Sequence, residues 1–90
     1  MNEDIRQRCG KQLSKSIESF RLGMDAAGNS ALTAFIDRIS QQLSNDVALC
    51  GQQEIELINE IVNAQMRGDY IYIADLLEYR LKETKLSKVV

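Results

Sequence analysis

The chain has 90 residues and a net charge of −2, with 44% hydrophobic and 27% charged residues. That length suits one domain, residues 1–90, and the charged fraction is ordinary for a soluble protein. The chain contains no histidine, proline or tryptophan. Histidine is the usual general base and the commonest transition-metal ligand, so we expect no catalytic residues, no metal site and no cofactor.

The N-terminus and the two cysteines indicate a cytoplasmic protein. Residues 1–4 are polar and acidic, unlike a secretory signal peptide, and no stretch is long and apolar enough to span a membrane. Cys9 and Cys50 lie far apart, and without a secretory signal they are interpreted as reduced, buried thiols. We therefore expect no membrane partner and no small-molecule substrate.

The charge is unevenly distributed along the chain. Residues 1–23 carry +2, residues 24–78 carry −7 and residues 79–90 carry +3. An acidic middle argues against a continuous nucleic-acid footprint. The alternative is a nucleic-acid-associated regulator, for which the basic residues of the two ends would have to converge into one patch: Arg6, Arg8, Lys11, Lys15, Lys82, Lys85 and Lys88.

The first predicted helix runs from Asp4 to Asp25. Its apolar residues recur at steps of three and four and cover about 120° of the helix surface. They are Ile5, Cys9, Leu13, Ile17, Phe20 and Met24. A turn over residues 27–30 is predicted to follow, in which Gly28 takes the left-handed conformation and Ser30 or Asn29 caps the next helix.

The second predicted helix begins near Ala31. Its stripe consists of Leu32, Phe35, Ile36, Ile39 and Leu43. Residues 44–46, Ser-Asn-Asp, favour a break because their side chains compete for backbone hydrogen bonds. Since Val47 and Cys50 continue the stripe in phase, the helix could instead run on to Gly51.

The third predicted helix runs from Gln52 to Arg67. Its core stripe is predicted to be Ile55, Ile58, Ile61, Val62 and Met66, with Leu57 off the stripe and Glu54, Glu56 and Glu60 on the outer face. Gly68 is predicted to end this helix and Asp69 to cap the next. Such a short turn makes helices three and four an antiparallel hairpin.

The fourth predicted helix, Tyr70 to Leu86, has two apolar stripes. The tail, residues 85–90, is predicted to be a basic final turn that then frays. The first stripe consists of Tyr70, Ile73, Ala74, Leu77 and Leu81. The second consists of Tyr72, Leu76 and Tyr79, about 120–150° away. A helix this apolar must be enclosed on two sides or meet another chain. The second stripe is therefore either core or a candidate interaction surface.

Two motifs resemble those of a group of short bacterial all-helical proteins of unknown function. One is Phe-x-x-Gly-Met-Asp-x-Ala at residues 20–27, followed by Ile36-Asp37. The other is Gly-Asp-Tyr-Ile-x-x-Ala-Asp-Leu-Leu-Glu-Tyr at residues 68–79, which in that group precedes a proline that this chain lacks. The resemblance covers about three quarters of the chain. It implies a bacterial, cytoplasmic, helical protein without an assigned activity or site.

These observations together predict an all-α, antiparallel bundle of three to four helices that is not an enzyme. The expected function is a small protein–protein interaction module. Its partner would be a second copy, giving a homodimer, or the helical segment of another protein, bound as a chaperone would bind it. Tyr72, Leu76 and Tyr79 are the candidate contact residues, because tyrosine combines apolar area with a hydroxyl that stays hydrated.

Overall fold

The computed structural model describes residues 3–89 and the side chains of residues 7–88. Ile5, a predicted core residue, and Arg6 lie outside the described side chains. The described chain is an all-α helical bundle without strands. Its main helices are α1 (Glu3–Arg21), α2 (Asp25–Asn45), α3 (Gln52–Arg67) and α4 (Tyr70–Asp75).

The turn between α1 and α2 lies at residues 22–24, not at the predicted residues 27–30. Gly23 has a φ of 76°, and its N–H donates to the Phe20 carbonyl while the Met24 N–H donates to the Ser19 carbonyl. This pair of bonds is a Schellman motif, which ends the helix. Met24, a predicted core residue, is exposed in the turn.

Gly28 lies inside α2 and serves close packing rather than a turn. The Phe20 ring lies so close that a Cβ at Gly28 would approach a ring carbon to 2.5 Å. The Ser16 hydroxyl donates to the Gly28 carbonyl over 3.1 Å. Phe20 and Gly28 are 8 residues apart in the sequence, and Ser16 and Gly28 are 12 apart. Because both contacts cross the turn, α1 and α2 form an antiparallel pair. The predicted turn at Gly28 was wrong because a missing side chain also permits close helix contact.

The break after α2 is where the sequence predicted it, since α2 ends at Asn45. A short 3₁₀ turn, Val47–Leu49, follows and is started by Asp46, whose carboxylate accepts from the Ala48 N–H. Val47 and Cys50 are exposed, so the alternative of a helix running to Gly51 is wrong.

The bounds of α3 agree with the predicted ones. Gly68 ends α3 with a φ of 71°, and the Gly68 and Asp69 N–H groups donate to the Gln65 and Ala64 carbonyls in a second Schellman motif. Asp69 occupies the position before α4, but its side chain makes no capping hydrogen bond.

The chain after α4 differs from the predicted regular helix. A π-helical turn, Leu76–Arg80, is closed by the Leu81 N–H donating to the Leu76 carbonyl, and a 3₁₀ turn, Leu81–Glu83, follows. Thr84 is extended, and a last 3₁₀ segment, Lys85–Val89, follows it. Leu86 is fully buried, so the prediction that the tail frays was wrong at this residue.

The core lies where α1 packs against α2 and α4, with α3 against α4. The first stripe of the fourth predicted helix is confirmed, since Ile73, Ala74, Leu77 and Leu81 are buried. Tyr70 stacks on Phe20 with ring centroids 5.2 Å apart, which joins the start of α4 to the end of α1. Further buried residues are Cys9, Leu32, Phe35, Ile39, Leu57, Ile61, Ala64, Leu76 and Leu86.

Candidate interaction surface

Helix α3 is apolar on two sides, and only one of them faces the core. The buried side carries Glu54, Leu57, Ile61 and Ala64. At 100° per residue these four positions fall within about 80° of one another. Leu57, predicted to lie off the stripe, is therefore a core residue, and Glu54, predicted to be on the outer face, is buried.

Three apolar side chains of α3 lie in solvent on the other side. Ile55 is 47% exposed, Val62 is 41% exposed and Met66 is 81% exposed. Their prediction as core residues was wrong. Together with Ile58, half-buried at their edge, we call them the exposed α3 face. Val62 and Met66 lie within about 20° of the direction of Ile55, and the face runs about 16 Å along the helix.

The rim of the exposed α3 face is polar but mostly uncharged. Asn59 and Asn63 are exposed and lie about 40–80° from Ile55 on the helical wheel. Glu56 and Arg67 lie further round the same flank, about 100–120° from Ile55, and are also exposed. An apolar strip bordered by polar groups is typical of a protein contact surface.

The three residues of the predicted contact surface are separated by the fold. Leu76 is 1% exposed and belongs to the core, whereas Tyr79 is 60% exposed. Tyr72 is half-buried, and its hydroxyl donates to the Glu60 carboxylate over 3.2 Å. A contact through all three residues would require Leu76 to leave the core, so Tyr79 is the member most accessible to a partner.

Glu54 is a buried carboxylate that joins two segments of the chain. Only 2% exposed, it accepts from the Gly51 N–H and from the Lys85 N–H, each over 2.9 Å. The hydrogen bond from Lys85 is the main reason that the pKa of Glu54 lies below its ordinary value, although burial acts in the opposite direction. Gly51 suits this arrangement because a Cβ there would meet the carboxylate at 2.5 Å.

Arg21 links the end of α1 to the last residue of α4 and to the π-helical turn that follows it. Its guanidinium donates to Asp75 over 3.0 Å and also to Glu78. These hydrogen bonds raise the pKa of Arg21 above its ordinary value. The side chains of Arg21, Asp75 and Glu78 are partly exposed, so solvent screens the two ion pairs. They connect α1 to the end of α4 and the π-helical turn but add little to the free energy of unfolding.

The cysteines are both free, and they differ in environment. Cys9 is buried, and burial raises the pKa of its thiol, while Arg38 on α2 partly opposes that shift. Cys50 is exposed, so its interpretation as a buried thiol was wrong. Among the described residues, no three histidine, cysteine, aspartate or glutamate side chains come together as metal ligands would.

The basic residues at the chain ends are only partly described. Lys85 is turned back on the bundle, where its ammonium donates to the Ala48 carbonyl over 3.2 Å. Because α1 and α2 pack as an antiparallel pair, the N-terminal half of α1 lies beside the C-terminal half of α2. The two basic segments thus approach the same end of α2. Binding of nucleic acid by them stays a prediction.

Comparison of the sequence with protein-family models, with curated proteins and with solved structures finds no match in any of the three. None of the helices among residues 3–89 has the length and apolar content needed to cross a bilayer.

The exposed α3 face was missed as a surface because its residues have helical spacing, which also suits a core. One signal in the sequence could have revealed it. The apolar residues of α3, counted with Leu57 and Ala64, extend over about 200° of the wheel, as wide as those of the fourth predicted helix. A chain of this size buries only about 60–65% of the surface that its unfolded form exposes, so two such helices leave apolar surface in solvent.

Proposed function

We propose that this protein is a small protein–protein interaction module that binds a helical segment through the exposed α3 face. One observation carries the proposal: Ile55, Val62 and Met66 lie in solvent on one line of a helix whose opposite side is already packed. Helices recognise one another through apolar anchors at such spacings. The partner is therefore an amphipathic helix.

The side chains of the exposed α3 face support this function rather than a role in folding. Met66 is among the most exposed apolar residues of the described chain, and methionine adapts to partners of different shape. The uncharged rim formed by Asn59 and Asn63 leaves no unpaired charge to bury on binding.

The proposal places the protein in the bacterial cytoplasm and assigns it no catalytic activity. Free cysteines, one of them exposed, suit a reducing compartment. The proposed bacterial source rests on the resemblance of residues 20–27 and 68–79 to the motifs of the short bacterial all-helical proteins. The chain has no histidine, and each carboxylate that forms an inter-element contact is paired with an arginine, a tyrosine hydroxyl or backbone N–H groups.

A photo-crosslinking side chain placed at Val62 tests the proposal in cells. We expect a discrete adduct that is absent when the crosslinker stands at Gln41, an exposed polar position on α2, and that disappears when Ile55→Glu is added. If Val62 and Gln41 give the same adducts, or if neither gives any, the proposed function is wrong.

A second measurement separates binding from folding. Because Ile55, Val62 and Met66 lie mostly outside the core, the triple serine variant should keep the helical circular dichroism and unfold within a few degrees of the native protein. Cooperative unfolding at a much lower temperature would assign these residues to the core instead.

A further inference from the structure

The charges that flank the exposed α3 face are arranged to fit a second copy of the same helix. Glu56 lies near the beginning of the face and Arg67 at its end, 11 residues apart. On the helical wheel they are within about 20° of each other, so they lie on one flank. Turning a copy of α3 end for end places Arg67 of the second copy beside Glu56, and the symmetry repeats this pair at the other end.

The geometry points to an antiparallel homodimer in which the exposed α3 faces of two copies pack together about a twofold axis. We propose this arrangement as the occupant of the face, and it rests on the proposed function. The axis passes at the level of Ile61. Val62 of each copy then lies next to the axis, and Ile55 of one copy contacts Met66 of the other.

The antiparallel direction follows from charge and shape. In a parallel pair the twofold axis runs along the helices, so Glu56 and Arg67 of the two copies lie on opposite sides of the contact and neither charge meets a partner. In the antiparallel pair both contacts are between opposite charges. The apolar residues are also complementary, since the longest and most exposed side chain, Met66, meets Ile55, whereas the short Val62 lies where the two helices come closest.

The association is expected to be weak. The face comprises four apolar residues on one helix, which is at the small end of specific protein interfaces. Sedimentation velocity should be measured from about 10 µM to about 1 mM, the range in which weak complexes dissociate. We expect the weight-average mass to rise from that of one chain towards that of two.

Matched variants locate the contact. Val62→Glu should keep the protein monomeric at every concentration, because it places two carboxylates beside the axis. Tyr79→Glu changes an exposed aromatic residue that is not part of α3 and should leave the dimer unaffected. If Tyr79→Glu dissociates the dimer and Val62→Glu does not, the contact lies on the segment after α4, and the α3 dimer is refuted.

A charge exchange tests the direction of pairing without changing the apolar residues. Glu56→Arg and Arg67→Glu, each alone, should weaken dimerisation about 3–10-fold, because each creates like-charge contacts at both ends. The double variant Glu56→Arg/Arg67→Glu should restore the native dissociation constant within about twofold. Failure of the double variant to recover would overturn the antiparallel register.

The photo-crosslinking and the sedimentation results separate the two proposals. An adduct at Val62 with twice the mass of the chain supports both. A native protein that stays monomeric at about 1 mM, with a Val62 adduct of another mass, overturns the homodimer and leaves the proposed function intact. A monomer with no adduct overturns both.

Discussion

Replacing Glu54 by glutamine should lower the free energy of unfolding by about 2–3 kcal/mol at neutral pH. The carboxylate accepts from two backbone N–H groups, Gly51 and Lys85. A glutamine has one acceptor oxygen, so one donor stays buried and unpaired, and a hydrogen bond to a charged group contributes about 1.5–3 kcal/mol. For a chain of this size the corresponding fall in melting temperature is about 10–20 °C.

The effect should depend on pH in a defined direction. The backbone hydrogen bonds make the folded-state pKa of Glu54 lower than its ordinary value of about 4.3. Its contribution is therefore fully present above the ordinary pKa and is lost as the pH falls through the lower folded-state pKa. The difference between native and Glu54→Gln proteins should therefore shrink as the pH is lowered from neutral through and below the ordinary carboxyl pKa.

Urea denaturation followed by circular dichroism at neutral and acidic pH measures both effects. Glu56→Gln is the matched control, because Glu56 is exposed on the same helix and, among the residues that the structure describes, accepts only from the Gln52 side chain. We expect that control to stay within about 0.5 kcal/mol of the native protein. If Glu54→Gln is as stable as the control at neutral pH, or if its deficit grows on acidification, the reasoning about Glu54 is refuted.

Three further predictions use the same unfolding measurements or thiol chemistry. Gly28→Ala should destabilise the protein by about 1–3 kcal/mol through the clash of the new methyl group with the Phe20 ring. The control Gly10→Ala has open space around it in α1 and should be neutral or stabilise by up to about 1 kcal/mol. A stabilising effect of Gly28→Ala would contradict the close packing. Leu76→Glu should unfold the protein because it buries a charge, and Tyr79→Glu should change its stability by less than about 0.5 kcal/mol; equal effects would refute their separation into core and surface. An aromatic disulfide reagent should modify one thiol per folded chain, at Cys50, and the second only on unfolding; two fast reactions would show that the other thiol is accessible.

Much of the fold could be predicted because the local signals are strong. Three signals locate the end of α2 and both ends of α3 within a residue or so. They are the periodic apolar residues, the stop at Gly68 and the polar break at residues 44–46. The first turn was misplaced because two glycines compete there. Only the one with positive φ, Gly23, ends a helix, and the sequence does not reveal which glycine will pack against Phe20.

The candidate surface could not be predicted, for a different physical reason. Spacing at three and four residues shows that a helix has an apolar side, but α3 and the fourth predicted helix each have two. Which side is enclosed depends on how neighbouring helices fill the remaining space. Glu54 did carry a local signal that was overlooked, because a glutamate three residues after Gly51 can reach back to its N–H as in a capping box.

The π-helical turn Leu76–Arg80 gives this end of the chain room for a one-residue deletion. A π turn accommodates one residue more than an α turn, as though a residue had been inserted into a regular helix. Deleting an exposed residue of the turn such as Arg80 would let the α geometry return while the residues beyond it keep their direction. Leu81 and Leu86 would then still face the core. A deletion outside the π turn would instead rotate everything beyond it by about 100°, because a regular α-helix holds no extra residue to give up.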